Sequence, residues 1–159
     1  MNFTLPQHCK IVTALAPQTS NGAKICDNIQ LRDAIKVWIV AQYTQAVTHA
    51  TTLQPVVGAT NAACTTAITF SANWWKNADV ATTDTLVAQT AATSMACTAG
   101  VTNQLIVIEI DPSDVVAQNA TYDWLGITQA SSGQATNFVS VVYYIQTRQP
   151  QATPRSAIA

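Results

Sequence analysis

Residues 34–42 read Ala34-Ile35-Lys36-Val37-Trp38-Ile39-Val40-Ala41-Gln42, with Tyr43 next. Ile35, Val37, Ile39, Ala41 and Tyr43 stand at one parity, and Lys36, Trp38, Val40 and Gln42 at the other. A strand turns successive side chains to opposite faces, so this run of β-branched and aromatic residues predicts a strand. Apolar groups at both parities place it in the interior of its sheet, with Trp38 buried.

Working outward, residues 103–110 repeat the pattern, with Leu105, Val107 and Glu109 set against Ile106, Ile108 and Ile110. They stop at Asp111-Pro112-Ser113-Asp114, where Asp111 suits an N-cap and Pro112 a first helical position. One helical turn through Ala117 is expected there. Residues 138–146 place Val139, Val141 and Tyr143 opposite Ser140, Val142 and Tyr144. Further strands are predicted at 63–72 (Thr66, Ile68 and Phe70 alternating), 74–76, 85–90, 93–99 and 122–128, the last with Gly126 as a bulge. Pro55 and Gly58 argue for an edge strand or loop over 51–60.

Short strands at spacings of roughly 10–15 residues describe an all-β fold, a single-domain β-sandwich or jelly roll. The connections are too short for the crossover helices of a doubly wound α/β sheet. Residues 1–27 are turn-rich, with Pro6, Pro17 and Ser20-Asn21-Gly22, and read as an extended N-terminal arm holding one short strand on the apolar stretch from Cys9 to Leu15. Residues 28–148 form the sandwich domain, and 149–159, with Pro150 and Pro154, an extended C-terminal tail.

The 159-residue, 16.9 kDa chain has only 9% charged residues, against roughly 25% in an ordinary soluble domain. Its formal net charge is −1, and Glu109 is the sole glutamate. An apolar fraction of 48% argues against disorder. Lys10, Lys24, Lys36, Lys76, Arg32, Arg148 and Arg155 are scattered singly, which speaks against nucleic-acid binding. No run approaches the ~20 apolar residues of a membrane helix. Met1 to Pro6 has neither a basic start nor an apolar core, so no secretion signal is expected.

Cys9, Cys26, Cys64 and Cys97 form no C-x-x-C pair, and His8 and His49 do not fall at zinc-ligand spacing. Two disulfides are arithmetically possible. Four reduced thiols, at least two of them acting as small core hydrophobes, is the simpler reading. No nucleophile elbow, zincin motif, phosphate loop or calcium loop occurs, so neither an enzyme nor a cofactor or metal site is expected. Asp111 with Asp114, and Asp79 with Asp84, fit helix capping and turns better than a cation site.

Trp74 and Trp75 are adjacent, so on a strand one points into the core and the other outward, free to anchor a partner. Trp74, Trp75, Phe3, Leu5, Arg148 and Arg155 are the candidate partner contacts.

Five stretches occur in one order: AIKVWIVAQ (34–42), DTLVAQT (84–90), IVIEIDPSD (106–114), Tyr122-Asp123-Trp124, and VSVVYYIQTR (139–148). Together they resemble a family of small structural proteins of tailed bacteriophages, usually encoded beside the major capsid protein and associated with the phage head. The resemblance implies a capsid decoration or cement protein in the virion, assembled in the bacterial cytoplasm. Its partners would be the major capsid protein and further copies of itself. No functional residue carries over, because the matched stretches are strand and turn residues. A carbohydrate-binding module using Trp74 or Trp75, and a tail or head–tail connector subunit, are the competing readings.

Overall fold

A computed structural model describes residues 5–149. The chain opens with a short helix α1 (Leu5–His8) and strands β1 (Cys9–Thr19), β2 (Lys24–Ile25), β3 (Ile29–Gln30), β4 (Ala34–Thr44) and β5 (Thr51–Gly58). There follow β6 (Thr66–Ala67), β7 (Asn73–Asn77), β8 (Val87–Ala88), β9 (Met95–Cys97) and β10 (Asn103–Ile110). Helix α2 (Pro112–Gln118), β11 (Trp124–Gln129) and β12 (Phe138–Thr147) complete it.

The strands form two antiparallel sheets. The first has the order β1-β12-β4-β10-β7-β8; the second is β2-β11-β5-β6, with β3 also on β11 and β9 also on β5. The early strands pair with the late ones in reverse: β1 with β12, β2 and β3 with β11, β4 with β10, and β5 with β9. The chain is thus one long antiparallel ribbon, folded back near residues 54–94, whose successive segments alternate between sheets. That winding is a jelly roll.

Between the sheets lie Val37, Ile39, Ala41 and Tyr43 of β4, Ile106, Ile108 and Ile110 of β10, and Val141, Tyr143 and Ile145 of β12. They meet Leu53 and Val57 of β5 and Leu125 and Ile127 of β11. Each large aliphatic side chain removed from water here contributes about 1.5–3 kcal/mol. Tyr143 stays satisfied in the core because its hydroxyl donates to the Asp27 carbonyl at 3.0 Å. The helical turn forms as expected, with the Asp111 carboxylate accepting from the Ser113 amide at N2.

Several expectations change. Ile35 is 45% exposed. The register steps from Lys36 opposite Gln146 to Ala34 opposite Thr147, so Ile35 is a bulged residue thrown off the inner face. Strand β5 is interior to its sheet despite Pro55. The Pro55 carbonyl accepts from Ile68, so its missing N–H faces the gap between β9, paired at 51–53, and β6, paired at 56–57. The strand expected over 63–72 shrinks to β6. Turns at Ala63 and Cys64 precede it, and the Thr69 amide is taken by the Gln118 side chain instead of a strand. Gly126 is no bulge, since β11 pairs with β5 without interruption. It makes room for Asn28, whose Oδ1 would lie 2.0 Å from an added Cβ.

The segment read as an arm enters the sandwich. Strand β1 runs along β12 from Cys9 opposite Gln146 to Thr19 opposite Phe138. Val12, Ala14 and Leu15 are core residues. Two register shifts within β1 break its alternation, which hides its length from periodicity. Removing residues 1–27 would therefore strip a strand from the first sheet.

Candidate functional site

The outer face of the first sheet assembles from side chains at the second parity of each strand. One row across it runs Ile11, Tyr144, Trp38, Glu109, Asn73. The next runs Thr13, Val142, Val40, Val107, Trp75, Ala88. A third holds Ser140, Gln42, Leu105 and Asn77. Ile11 is 48% exposed and Phe138, at the same parity, 47%. Tyr144, Trp38, Val142, Val40, Val107, Leu105 and Trp75 are half-buried.

Among the described residues, charge at the outward parity of these strands is confined to Glu109 and, one row beyond it opposite Gln146, Lys36. The Lys36 ammonium sits 3.0 Å from Glu109 Oε1, and Trp38 Nε1 donates to Glu109 Oε2 at 3.1 Å. The pair is internally neutralised and the indole is locked in orientation. Helix α1 overhangs one corner, leaving a groove of about 470 Å³ lined by Leu5, His8, Trp38, Val40, Val107 and Tyr144. Aromatic anchors on a neutral apolar floor suit contact with another protein surface, because few charges must be stripped of water.

At one end of the sandwich lies a second groove of about 800 Å³, where Arg32, Arg148, Asp111 and Asp123 surround Ile35 and Val116. Hydrogen bonds from Ser113 hold the Asp111 carboxyl below its usual range. All four cysteines are unpaired and buried. Burial pushes the thiols of Cys26, Cys64 and Cys97 up to about 12, which leaves them protonated and unreactive at neutral pH.

The candidate contacts divide. Trp74 faces inward at 8% exposure, its Nε1 donating to the Thr90 carbonyl at 2.9 Å. The Lys76 ammonium stands 5.7 Å from its ring centroid. Trp75 is on the outer face, and Leu5, 44% exposed, borders the groove on that face. Arg148 lines the second groove, away from them. Phe3 and Arg155 lie outside the described residues. Trp38 was expected in the core and instead faces outward, because the core parity of β4 belongs to Val37, Ile39 and Ala41. Trp38, Tyr144, Val40, Val142 and Val107 were missed as surface anchors. Their signal was the doubly apolar patterning of β4, β10 and β12, which reads equally well as burial on both faces.

No protein-family model matches the chain, and no curated protein matches it. Among solved structures, the crystal structure of the SPBc2 prophage-derived protein YomS resembles it with a TM-score of 0.50 at 10% identity, over 86% of this chain and 91% of that one. The Triatoma virus empty capsid aligns at a TM-score of 0.40 and 9% identity, over 98% and 96% of the two chains. A structure described as CBM4 aligns at 0.31 and 11%, over 92% and 88%. The first shares the fold; the lower scores of the other two add nothing to that.

Proposed function

We propose that the chain is a non-enzymatic structural protein of a tailed-phage virion, binding the outer surface of the capsid and bridging neighbouring subunits of the major capsid protein. The observation that carries this reading is the neutral, aromatic outer face of the first sheet, a surface suited to protein contact. Three of the stretches that resemble phage head-associated proteins lie on β4, on β10 leading into α2, and on β12, which are the strands that build this face. The jelly-roll fold is shared with a prophage-derived protein. Four buried, unpaired cysteines suit assembly in a reducing bacterial cytoplasm.

The mechanism is mechanical. Interfaces added on the outside of a shell must break before its subunits can separate, so they resist pressure from packaged DNA. Leu5 and Arg148, with Phe3 and Arg155 beyond the described residues, are the proposed capsid contacts at the two ends of the chain. Co-sedimentation of the purified chain with empty capsids of the cognate phage tests the reading. Saturable binding at a fixed ratio to the major capsid protein is expected; a chain left wholly in the supernatant overturns it. A second reading draws on Trp38, Trp75 and Tyr144 sharing one face, since aromatic rings stack on sugars. Glycan-array binding that is lost in Trp75→Ala, with capsid binding unchanged, would favour that module.

A further inference from the structure

Strands of a sheet with one wet face alternate apolar-in and polar-out, whereas strands covered on both faces are apolar at both parities. The middle of β4, β10 and β12 in the first sheet has the second pattern, bordered by the polar Gln42 and Ser140. Val37, Ile39 and Ala41 of β4 face the core, and Trp38 and Val40 face outward; Ile106 and Ile108 of β10 face in, and Leu105 and Val107 out. On β12, Val141 and Tyr143 face in, and Val142 and Tyr144 out. The sheet is composed as though a further layer lay across it.

From this we infer that the outer face of the first sheet is covered by the same face of a second copy of the chain, forming a two-fold dimer in which two sandwiches stack sheet on sheet. The inference rests on reading this face as a docking surface and names its occupant, which leaves capsid contact to the ends of the chain, Arg148 in the second groove among them. Size is the first argument. With strands ~4.8 Å apart and ~3.4 Å per residue, six strands span about 24 Å and the lengths of β4 and β12 about 35 Å. Allowing for the shorter outer strands, the face offers on the order of 700–800 Å², close to the roughly 800 Å² per partner of a specific interface.

Charge is the second argument. In a two-fold interface the same patch meets itself, so any unpaired charge near the axis faces its own kind. Here the two charges are already paired with each other at 3.0 Å. A second copy also supplies a surface of equal size and equal lack of charge. Sheets packed face to face lie about 10 Å apart, close enough for Trp38, Val40, Val107, Val142 and Tyr144 to interdigitate with their counterparts. Helix α1 would then flank the edge of the partner sheet.

Sedimentation velocity and light scattering on the full chain are expected to give twice the 16.9 kDa chain mass. Val107→Lys puts an ammonium in the middle row. It should weaken the dimer at least about a hundredfold and return the chain mass, with cooperative thermal unfolding retained. If that variant fails to fold, Ile11→Lys together with Val40→Ser gives the same readout from exposed and half-buried positions. A wild-type chain that stays monomeric at about 100 µM overturns the inference, as does an assembly whose mass Val107→Lys leaves unchanged. Empty capsids in a second arm separate this from the reading above. A monomer that binds capsids and loses them on Val107→Lys assigns the face to a capsid subunit and overturns the dimer alone. A dimer indifferent to capsids upholds the dimer and overturns the virion role.

Discussion

On the second sheet, the outward-facing Val56 and Trp124 lie under residues 59–65, whose Cys64 closes over them in a small apolar cluster. The Cys64 thiol reaches the Val56 carbonyl at 3.5 Å. The Asn28 side-chain amide pins the loop by donating to the carbonyl and side-chain oxygens of Asn61. Gly58 permits the approach: an added Cβ would meet the Ala63 carbonyl oxygen at 2.3 Å. On the first sheet, Trp38, Val40, Val107, Val142 and Tyr144 form a wider apolar field that remains half-exposed. The second sheet buries its outward aromatic residue under its own chain, and the first keeps several available. Apolar surface left open on one face while its counterpart is covered on the other is the surface the proposed partner would cover.

This contrast makes stability and association separable. The largest stability effect is expected at Trp124→Ala, which empties the covered cluster and should cost about 3 kcal/mol in denaturant unfolding. A cost below about 1 kcal/mol would mean that the loop adds little and the two faces are more alike than they look. Next comes Gly58→Ala, expected to cost about 1–3 kcal/mol because the loop backbone has to move away from the new methyl group. The same variant should expose Cys64 to Ellman's reagent while the wild-type protein stays unlabelled at that position near neutral pH.

The Cys64 thiol also predicts the pH response. Its pKa rises from an ordinary 9.0 to about 12 through burial. The fold therefore prefers the neutral thiol: this stabilisation is fully present below pH 9 and lost as pH rises toward 12. Chemical-denaturation midpoints should fall over that window. Cys64→Ala should make the decline shallower by one thiol's share, Cys26 and Cys97, also raised to about 12 by burial, carrying the rest. The smallest effect belongs to the open face. Trp75→Ser should change the stability of the single chain by less than about 1 kcal/mol, yet weaken association. A loss comparable to that of Trp124→Ala would mean that Trp75 is structural and the comparison of the two faces fails.

Strands β4, β10 and β12 were legible because their alternation is long and unbroken, and their ends came within one or two residues. Helix α2 was legible from Asp111 and Pro112, whose capping and φ preferences act locally. Strand β1 was legible only as a short strand over residues 9–15; its run on to Thr19 and its place in the first sheet were not, since its bulges spoil periodicity and its pairing with β12 spans most of the chain. Pro55 misled for a related reason: whether a missing N–H matters depends on which neighbour lies on that side of the strand, and the gap between β9 and β6 exists only after folding. Of the candidate contacts, Trp74 and Trp75 split between faces as adjacent residues on a strand must. Which tryptophan went inward, and that Trp38 joined Trp75 outside, depended on packing.

The amino-acid sequence by itself determined the class of fold, the positions of its long strands, the capped turn after β10 and the scarcity of charge. These follow from side-chain periodicity and composition, which act over a few residues at a time. Tertiary structure alone decided the jelly-roll winding, the entry of β1 into the first sheet and the cover over Trp124. It also decided that the second apolar parity of β4, β10 and β12 faces outward. A strand with two apolar faces is the same string of residues whether its far side meets its own chain or another. Only the placement of the remaining elements determines which.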